Sequence, residues 1–479
     1  MTRLRWASVA AIAASGLVLG ALAFACGTDD GVGPPACSGV ACDGGSVDAS
    51  LADGGADANV PDARSDADPA DASDGSAACP GPAGTLDPTF GDGGIVWLYD
   101  TYGATSVSYL ADGKILLGGH LAAPQVAVVR LLHDGSLDPS FGNAGIAALT
   151  IGTASRLLNA LAVQTDGKIL AVGTARFGGA TPYMIVVRLT SNGVLDTTFG
   201  DGGVAVSSFG GNAWGVAALA DGHIVVSGQT VDYELLRLNA DGSPDNTFGN
   251  SGRATADIRG TDDFPGLLTV APGSRYIVSG ASETAPGSGI SDFSIVRFSA
   301  DGGLDTSFAA AGKVVIPVGG ASSVGNVAVQ PDGRLVAAGS TTLGGGPGDF
   351  AIFRLTPSGA ADLTFGGEGG LTTDFGGQAD SVVGVAVMPD SKIVAVGSSI
   401  PPGATPDDRI ALARYLPNGA LDPTFGTGGK VLTPSLGVGT STEAHAVGFR
   451  GCEAVVVGQW QTPLRPHAVM GIARFNLGR

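Results

Sequence analysis

Leu86-Asp87-Pro88-Thr89-Phe90-Gly91-Asp92-Gly93-Gly94 returns in altered form six more times. Clear copies begin Leu137-Asp138-Pro139-Ser140-Phe141-Gly142, Leu195-Asp196-Thr197-Thr198-Phe199-Gly200 and Leu421-Asp422-Pro423-Thr424-Phe425-Gly426. Weaker ones hold Asp245 behind Pro244, Asp305 ahead of Phe308, and Asp362 behind Ala361. Successive head aspartates are 51, 58, 49, 60, 57 and 60 residues apart. A self-similar period of this size marks an array, a solenoid or propeller blades. It replaces the several domains that 479 residues would otherwise suggest with one domain of repeats.

Within a unit the pattern is all-β. Val382 to Val387 runs through Pro389-Asp390-Ser391 into Lys392 to Gly397, and Asp112-Gly113, Asp166-Gly167, Asp221-Gly222 and Asp332-Gly333 hold the same place elsewhere. Asp-Gly between apolar runs is a hairpin signal because glycine accepts positive φ. A variable loop leads to a third run such as Ile410 to Arg414. A tight turn, the head and a short fourth run then follow. Four short antiparallel strands per unit, seven times, predict an all-β, seven-bladed β-propeller. Gly 79 and Pro 27 in the composition argue against a helical bundle.

The pair Leu-Asp-x-Thr-Phe-Gly and Pro-Asp-Gly-Lys-Ile-x-x-x-Gly, repeated from Leu86 to Arg474, resembles the delta-60 repeat family of secreted bacterial proteins. The resemblance implies a propeller and an exported location. It carries no activity and no functional residues. Ala309 replaces a head glycine, and Gly273-Ser274-Arg275 replaces Asp-Gly-Lys.

Arg130, Arg188, Arg237, Arg297, Arg354 and Arg414 close the third strands, each eight residues before Asp138, Asp196, Asp245, Asp305, Asp362 and Asp422 respectively. A constant offset under a varying period predicts a structural Arg–carboxylate pair rather than a ring of ligand-binding charges. Arg474 and Asp87 are left over at the two ends of the array. Pairing them makes the N-terminal run near Gly94–Trp97 the outer strand of the last blade and closes the ring. The head phenylalanines read as plugs between blades.

The N-terminus reads as processing signal and tether. Residues 1–25 hold Arg3, Arg5 and an apolar run, as a secretory signal peptide does. Ala23-Phe24-Ala25-Cys26 resembles a bacterial lipobox, which makes Cys26 the lipidated residue and the bilayer a partner, with simple secretion and a retained anchor as alternatives. Residues 27–78 hold 11 acids and one base and no aromatics, so 26–78 is the lipidated cysteine plus a disordered Asp/Ala/Gly-rich spacer, and residues 79–479 are the propeller. Cys37, Cys42, Cys79 and Cys452 suggest two disulfides in an exported chain, with Cys79 joined to Cys452.

Lys+Arg 25 against Asp+Glu 44 gives net charge −19, which argues against nucleic acid as a partner. The five histidines, His120, His133, His223, His445 and His467, sit at unrelated points of the repeat, so no metal site and no cofactor is expected. No nucleophile elbow or P-loop appears. Trp97, Trp214 and Trp460 read as packing, with sugar stacking as the alternative. The expectation is a non-enzymatic recognition or scaffold module for an unknown protein or glycan ligand, displayed in the outer membrane, periplasm or at the cell surface. The rival is an extracellular enzyme acting on polysaccharide through loop carboxylates, for which Asp262, Asp263, Asp292, Asp407 and Asp408 are the candidates.

Overall fold

The computed structural model describes residues 81–99, 101–121, 125–152, 154–179, 181–318, 323–342, 348–376, 379–401, 408–434, 441–461 and 467–478. These form seven antiparallel sheets and, among the described residues, no helix. Blade I contains Gly103–Tyr109, Ile115–His120, Val126–Leu131 and Ile146–Leu149, hydrogen-bonded in that order from the innermost strand outward. Blades II to VI repeat the arrangement over residues 154–210, 212–256, 263–316, 323–373 and 379–432. Blade VII takes its three inner strands from Ser441–Arg450, Glu453–Gln461 and Val469–Asn476, and its outer strand from the other end of the chain. The innermost strand carries a bulge where it meets the second, at Ala104/Ser106 in blade I and Ala444/Ala446 in blade VII. A bulge increases local twist, as strands crowding a central axis require.

The cores lie between blades. Each of seven buried clusters joins adjacent sheets, so that Leu116 and Val128 of blade I pack with Ile169 and Ile185 of blade II. The cluster of Phe90, Ile115, Val129, Val455 and Ile472 joins blade VII to blade I and closes the ring.

Closure follows the pairing expected from the two unmatched ends. Ile95–Leu98 pairs antiparallel with Val469–Asn476, with Ile95 opposite Ala473 and Leu98 opposite Met470. Arg474 Nε donates to Asp87 Oδ2 at 2.9 Å, and both side chains are fully buried. The turn of this blade is shared by both ends of the chain. In blade I, Gly135 N–H bonds Leu132 O; in blade VII, Gly84 N–H bonds Asn476 O at 2.7 Å. Gly84 and Gly135 both have positive φ, and a Cβ on Gly135 would sit 2.9 Å from the Phe90 ring. Glycine is thus needed there for conformation and for room.

One node recurs in all seven blades. Arg130 Nε donates to Asp138 Oδ2 at 2.8 Å, its Nη2 to Ser140 Oγ at 3.0 Å, and its Nη1 to Ser191 O of the next blade. Its guanidinium lies 4.5 Å from the Phe141 ring centroid. The inter-blade contact is repeated from Arg188 to Ala240 O, Arg237 to Ala300 O, Arg297 to Pro357 O, Arg354 to Pro417 O, Arg414 to Leu477 O and Arg474 to His133 O. Only a planar fork with separately directed donors meets three acceptors at once. In blades I, II, IV, V and VI the hairpin of the same blade supplies a second cation to the head aspartate: Lys114 reaches Asp138 at 3.2 Å, and Arg275, in the departing turn, reaches Asp305 at 2.9 Å.

Removing one partner of a buried, hydrogen-bonded ion pair leaves an uncompensated charge. Arg474→Ala is expected to lower unfolding free energy by about 3–5 kcal/mol. Arg237→Ala, at a more accessible node, is expected to cost about 1.5–3 kcal/mol. Urea titration of both variants measures the difference.

Candidate functional site

The strands alternate in direction, so head turns and Asp-type hairpins share one face, and the loops from second to third strand share the other with the crossovers between blades. The hairpin face is occupied by the arginine nodes. The loop face is where the blades differ, and Val231, Phe264 and Ile290 of blades III and IV leave large apolar surface exposed there.

The acids expected to serve a ligand on this face are spread among different roles. Asp292 is buried and holds two structural partners, Arg259 Nη2 at 2.8 Å and Val318 N–H at 3.1 Å. Asp408 accepts Ser441 Oγ at 2.6 Å. Asp262 is exposed, and its carbonyl accepts Glu283 N–H at 3.0 Å. Asp407 lies outside the described residues, as do Cys26, Cys37, Cys42 and Cys79.

Asp263 is different. It opens the first strand of blade IV, Asp263–Ala271, and is 0% exposed. Two aspartates of blade III stand beside it: Asp232, just before the third strand Tyr233–Leu238, and Asp257, just after the fourth strand Arg253–Ala256. One carboxylate oxygen from each lies within 4.8 Å of the others. Ile258 N–H donates to Asp263 Oδ2 at 3.0 Å, and Gly260 N–H donates to Asp257 Oδ1 at 2.5 Å. Asp263 Oδ1 is buried without a partner.

The arrangement occurs twice. Asp349, Asp374 and Asp380 form a second cluster of the same dimensions at the crossover from blade V to blade VI. Phe375 N–H donates to Asp380 Oδ2 at 2.8 Å, as Ile258 does to Asp263, and Asp380 Oδ1 is likewise buried and unpartnered. Lys313 Nζ bonds Asp257 O in the first cluster, and Lys430 Nζ bonds Asp374 O at 2.9 Å in the second. Both lysines meet a backbone carbonyl. The crossover from blade IV to blade V, where the described residues hold no such cluster, has Pro317 directly after the fourth strand, where blade III has Asp257.

Asp232, Asp257, Asp349, Asp374 and Asp380 were not among the residues singled out from sequence. A signal for them exists: 349 − 232, 374 − 257, 380 − 263 and 430 − 313 all equal 117, so three aspartates and a lysine recur together two blades on. Comparing blades in pairs would have found it; comparing each blade with the consensus repeat does not.

Burial drives the electrostatics of both clusters. It pushes Asp263 up to about 6, and the neighbouring Asp232 and Asp257 add to the rise against the Ile258 hydrogen bond and the nearby Ser282 hydroxyl. Burial also raises Asp380, Asp232 and Asp349, each with a cluster neighbour adding to it. The head carboxylates move oppositely. Burial alone would raise Asp245, but hydrogen bonds from Thr247 and Arg237 outweigh it and hold it at about 2.

Six segments, 110–141, 164–199, 219–248, 275–308, 330–365 and 389–425, match the family described as a domain of unknown function (DUF5122) beta-propeller. The chain is built of β-propeller repeats. No curated protein matches. Among solved structures, an ulvan lyase of a polysaccharide lyase family is similar at 12% identity and TM-score 0.47, covering 80% of this chain and 96% of the lyase. A protein of unknown function from Dyadobacter fermentans is similar at 14% identity and TM-score 0.41, covering 81% of this chain and 100% of its own. One from Bacteroides caccae gives 10% identity and TM-score 0.37, covering 67% of this chain and 93% of its own.

A carboxyl whose folded pKa is raised favours folding while protonated. Its contribution is complete below its unfolded value and is lost as pH rises through the folded one, about 6 for Asp263. A depressed carboxylate contributes above its unfolded value and loses this as pH falls through the folded one, about 2 for Asp245. Thermal midpoints in metal-free buffer are therefore expected to peak near about pH 4–5 and to decline on both sides. The Asp263→Asn, Asp380→Asn double variant is expected to show a weaker decline on the alkaline side.

Proposed function

We propose that this seven-bladed chain of β-propeller repeats is an exported recognition module, tethered to a membrane through acylated Cys26, that presents its loop face to an extracytoplasmic protein or glycan. Its repeat is of the delta-60 kind. The carrying observation is the division of labour between faces. Side chains common to the blades are consumed by the nodes that hold the ring together, and the apolar side chains exposed beside them, Val194 and Leu363, come from the separated blades II and V, while Val231, Phe264 and Ile290 of the adjacent blades III and IV stand exposed on the loop face. Binding surfaces built on variable loops over a rigid frame follow this plan.

The same geometry leaves the rival enzyme one exposed carboxylate, Asp262, among the described loop candidates. Among the described loop candidates, Asp292 and Asp408 are tied to structural partners. Asp263 has no surface through which a substrate could touch it. Export also accords with the route of the chain ends. Gly81 lies against Asn476, whose successor Leu477 donates its N–H to Cys452 O at 2.7 Å. Cys79 precedes Gly81 by two residues, and a Cys79–Cys452 bridge would fasten the closing strand.

The mature chain should be screened against bacterial and algal glycans and envelope proteins. The reading predicts saturable binding that Phe264→Ser weakens at least tenfold and that a substitution on the hairpin face, Lys168→Ser, leaves unchanged. Depolymerisation of a bound glycan, with new chain ends, would establish the enzyme instead. Binding insensitive to loop-face substitutions would overturn the reading.

A further inference from the structure

We propose that each of the two aspartate clusters binds one hard divalent cation, calcium, at the crossover from one blade to the next. The sites are Asp232, Asp257 and Asp263 between blades III and IV, and Asp349, Asp374 and Asp380 between blades V and VI.

Three observations carry this. The first is converging charge without a direct ion pair. Three carboxylates converge within 4.8 Å in each cluster, and among the described residues none of the six forms an ion pair with a lysine or arginine. Arg253 and Lys313 attract Asp232 through space, but the nearby cations make their direct contacts elsewhere: Arg253 with Glu234 at 2.7 Å, Lys313 with the Asp257 carbonyl, and Lys430 with the Asp374 carbonyl and the Phe375 ring. Like charges this close either protonate or share a cation.

The second is an empty acceptor. Asp263 and Asp380 are 0% and 2% exposed, and in each the Oδ2 atom is fixed by a backbone N–H while Oδ1 meets no well-aligned donor, the neighbouring Ser282 and Ser399 hydroxyls being themselves unpartnered. A buried carboxylate oxygen without a donor is costly. A metal ion satisfies it.

The third is recurrence. The same three aspartates at the same spacing, with the same lysine, are built twice 117 residues apart. The same backbone donor fixes the innermost carboxylate each time. Loops between the blades otherwise differ. Incidental crowding of acids does not reproduce a side-chain set, its partner pattern and an orphaned oxygen together.

The donor chemistry selects the ion. All six groups are carboxylates, the hard oxygen donors that suit calcium or magnesium, and among the described residues no histidine or cysteine joins either cluster to favour zinc. Calcium accepts irregular oxygen sets completed by water, whereas magnesium demands near-ideal octahedral geometry. One ligand comes from the approach to a third strand, one from the crossover and one from the next blade's first strand. A bound ion therefore ties adjacent blades together at their loop face, opposite the arginine nodes.

The test is calcium titration of the chelator-stripped mature chain by calorimetry and thermal melting, with magnesium as a parallel arm. Asp263→Asn and Asp380→Asn each keep the size and the backbone acceptor of the residue replaced, and circular dichroism checks their fold. The Asp-rich spacer is common to all variants, so differences between them report on the propeller. The proposal predicts two propeller sites in the parent, one in each single variant and none in the double variant. The calcium-dependent rise in melting temperature should shrink in each single variant and vanish in the double one. In chelator, the double variant should melt no lower than the parent, because it has lost buried repulsion and no metal. The proposal is overturned if the folded double variant binds as many ions as the parent, or if the parent gains no thermal stability in millimolar calcium. Selective binding of magnesium over calcium would overturn the choice of ion.

Discussion

The guanidinium at the end of each third strand is the joint on which the ring depends. Its Nε meets the head carboxylate of its own blade, Nη2 meets the Ser or Thr two residues beyond that carboxylate, and Nη1 meets a carbonyl of the next blade. The head phenylalanine lies beneath it, 4.8 Å from Arg354 in blade V. One side chain thus fixes the local turn and the inter-blade contact together. The apolar cores between blades supply the larger favourable term but are not directional. The arginine fork sets the register in which neighbouring blades meet.

The break in the chain falls within this repeating joint. Arg414 of blade VI bonds Leu477 O, and Arg474 of blade VII bonds His133 O, so both joints flanking the opening are complete. Asn476-Leu477-Gly478 and Gly84-Thr85-Leu86 together trace the turn that Leu416-Pro417-Asn418-Gly419-Ala420-Leu421 makes continuously. The outer strand of blade VII, Ile95–Leu98, then lies where the fourth strand of every other blade lies. Every blade is complete although the repeat array begins and ends in mid-unit.

Much of this was legible in the sequence because repetition amplifies weak signals. One Leu-Asp-Pro-Thr-Phe-Gly is a turn; seven of them, with an arginine eight residues ahead of six, define a joint, and the unmatched Arg474 and Asp87 pointed to each other. The hairpin cation was visible as Lys114 or Lys168, but its target, the head aspartate of the same blade, depends on how the turns fold back. The role of Gly84 was hidden for the same reason, since its partners are the last residues of the chain. The loop-face acids were least legible. Asp262, Asp263, Asp292 and Asp408 looked alike as loop carboxylates, yet they divide into an exposed group, a buried cluster member and two structural acceptors. Strand periodicity says nothing about which loop side chains turn inward, and the twin clusters repeat at two blades rather than one.

The claim that the two chain ends form one ordinary inter-blade joint is tested most directly by moving the break. A circular permutant would join Gly478 directly to Gly84 and open the ring between Asn418 and Gly419, the equivalent place in blade VI. Its thermal unfolding would be compared with that of residues 81–478 carrying the natural ends. The account predicts a folded β-protein whose midpoint stays within a few degrees, about ±3 °C, of the parent's. A permutant that fails to fold, or one whose midpoint falls by more than about 10 °C, would contradict it.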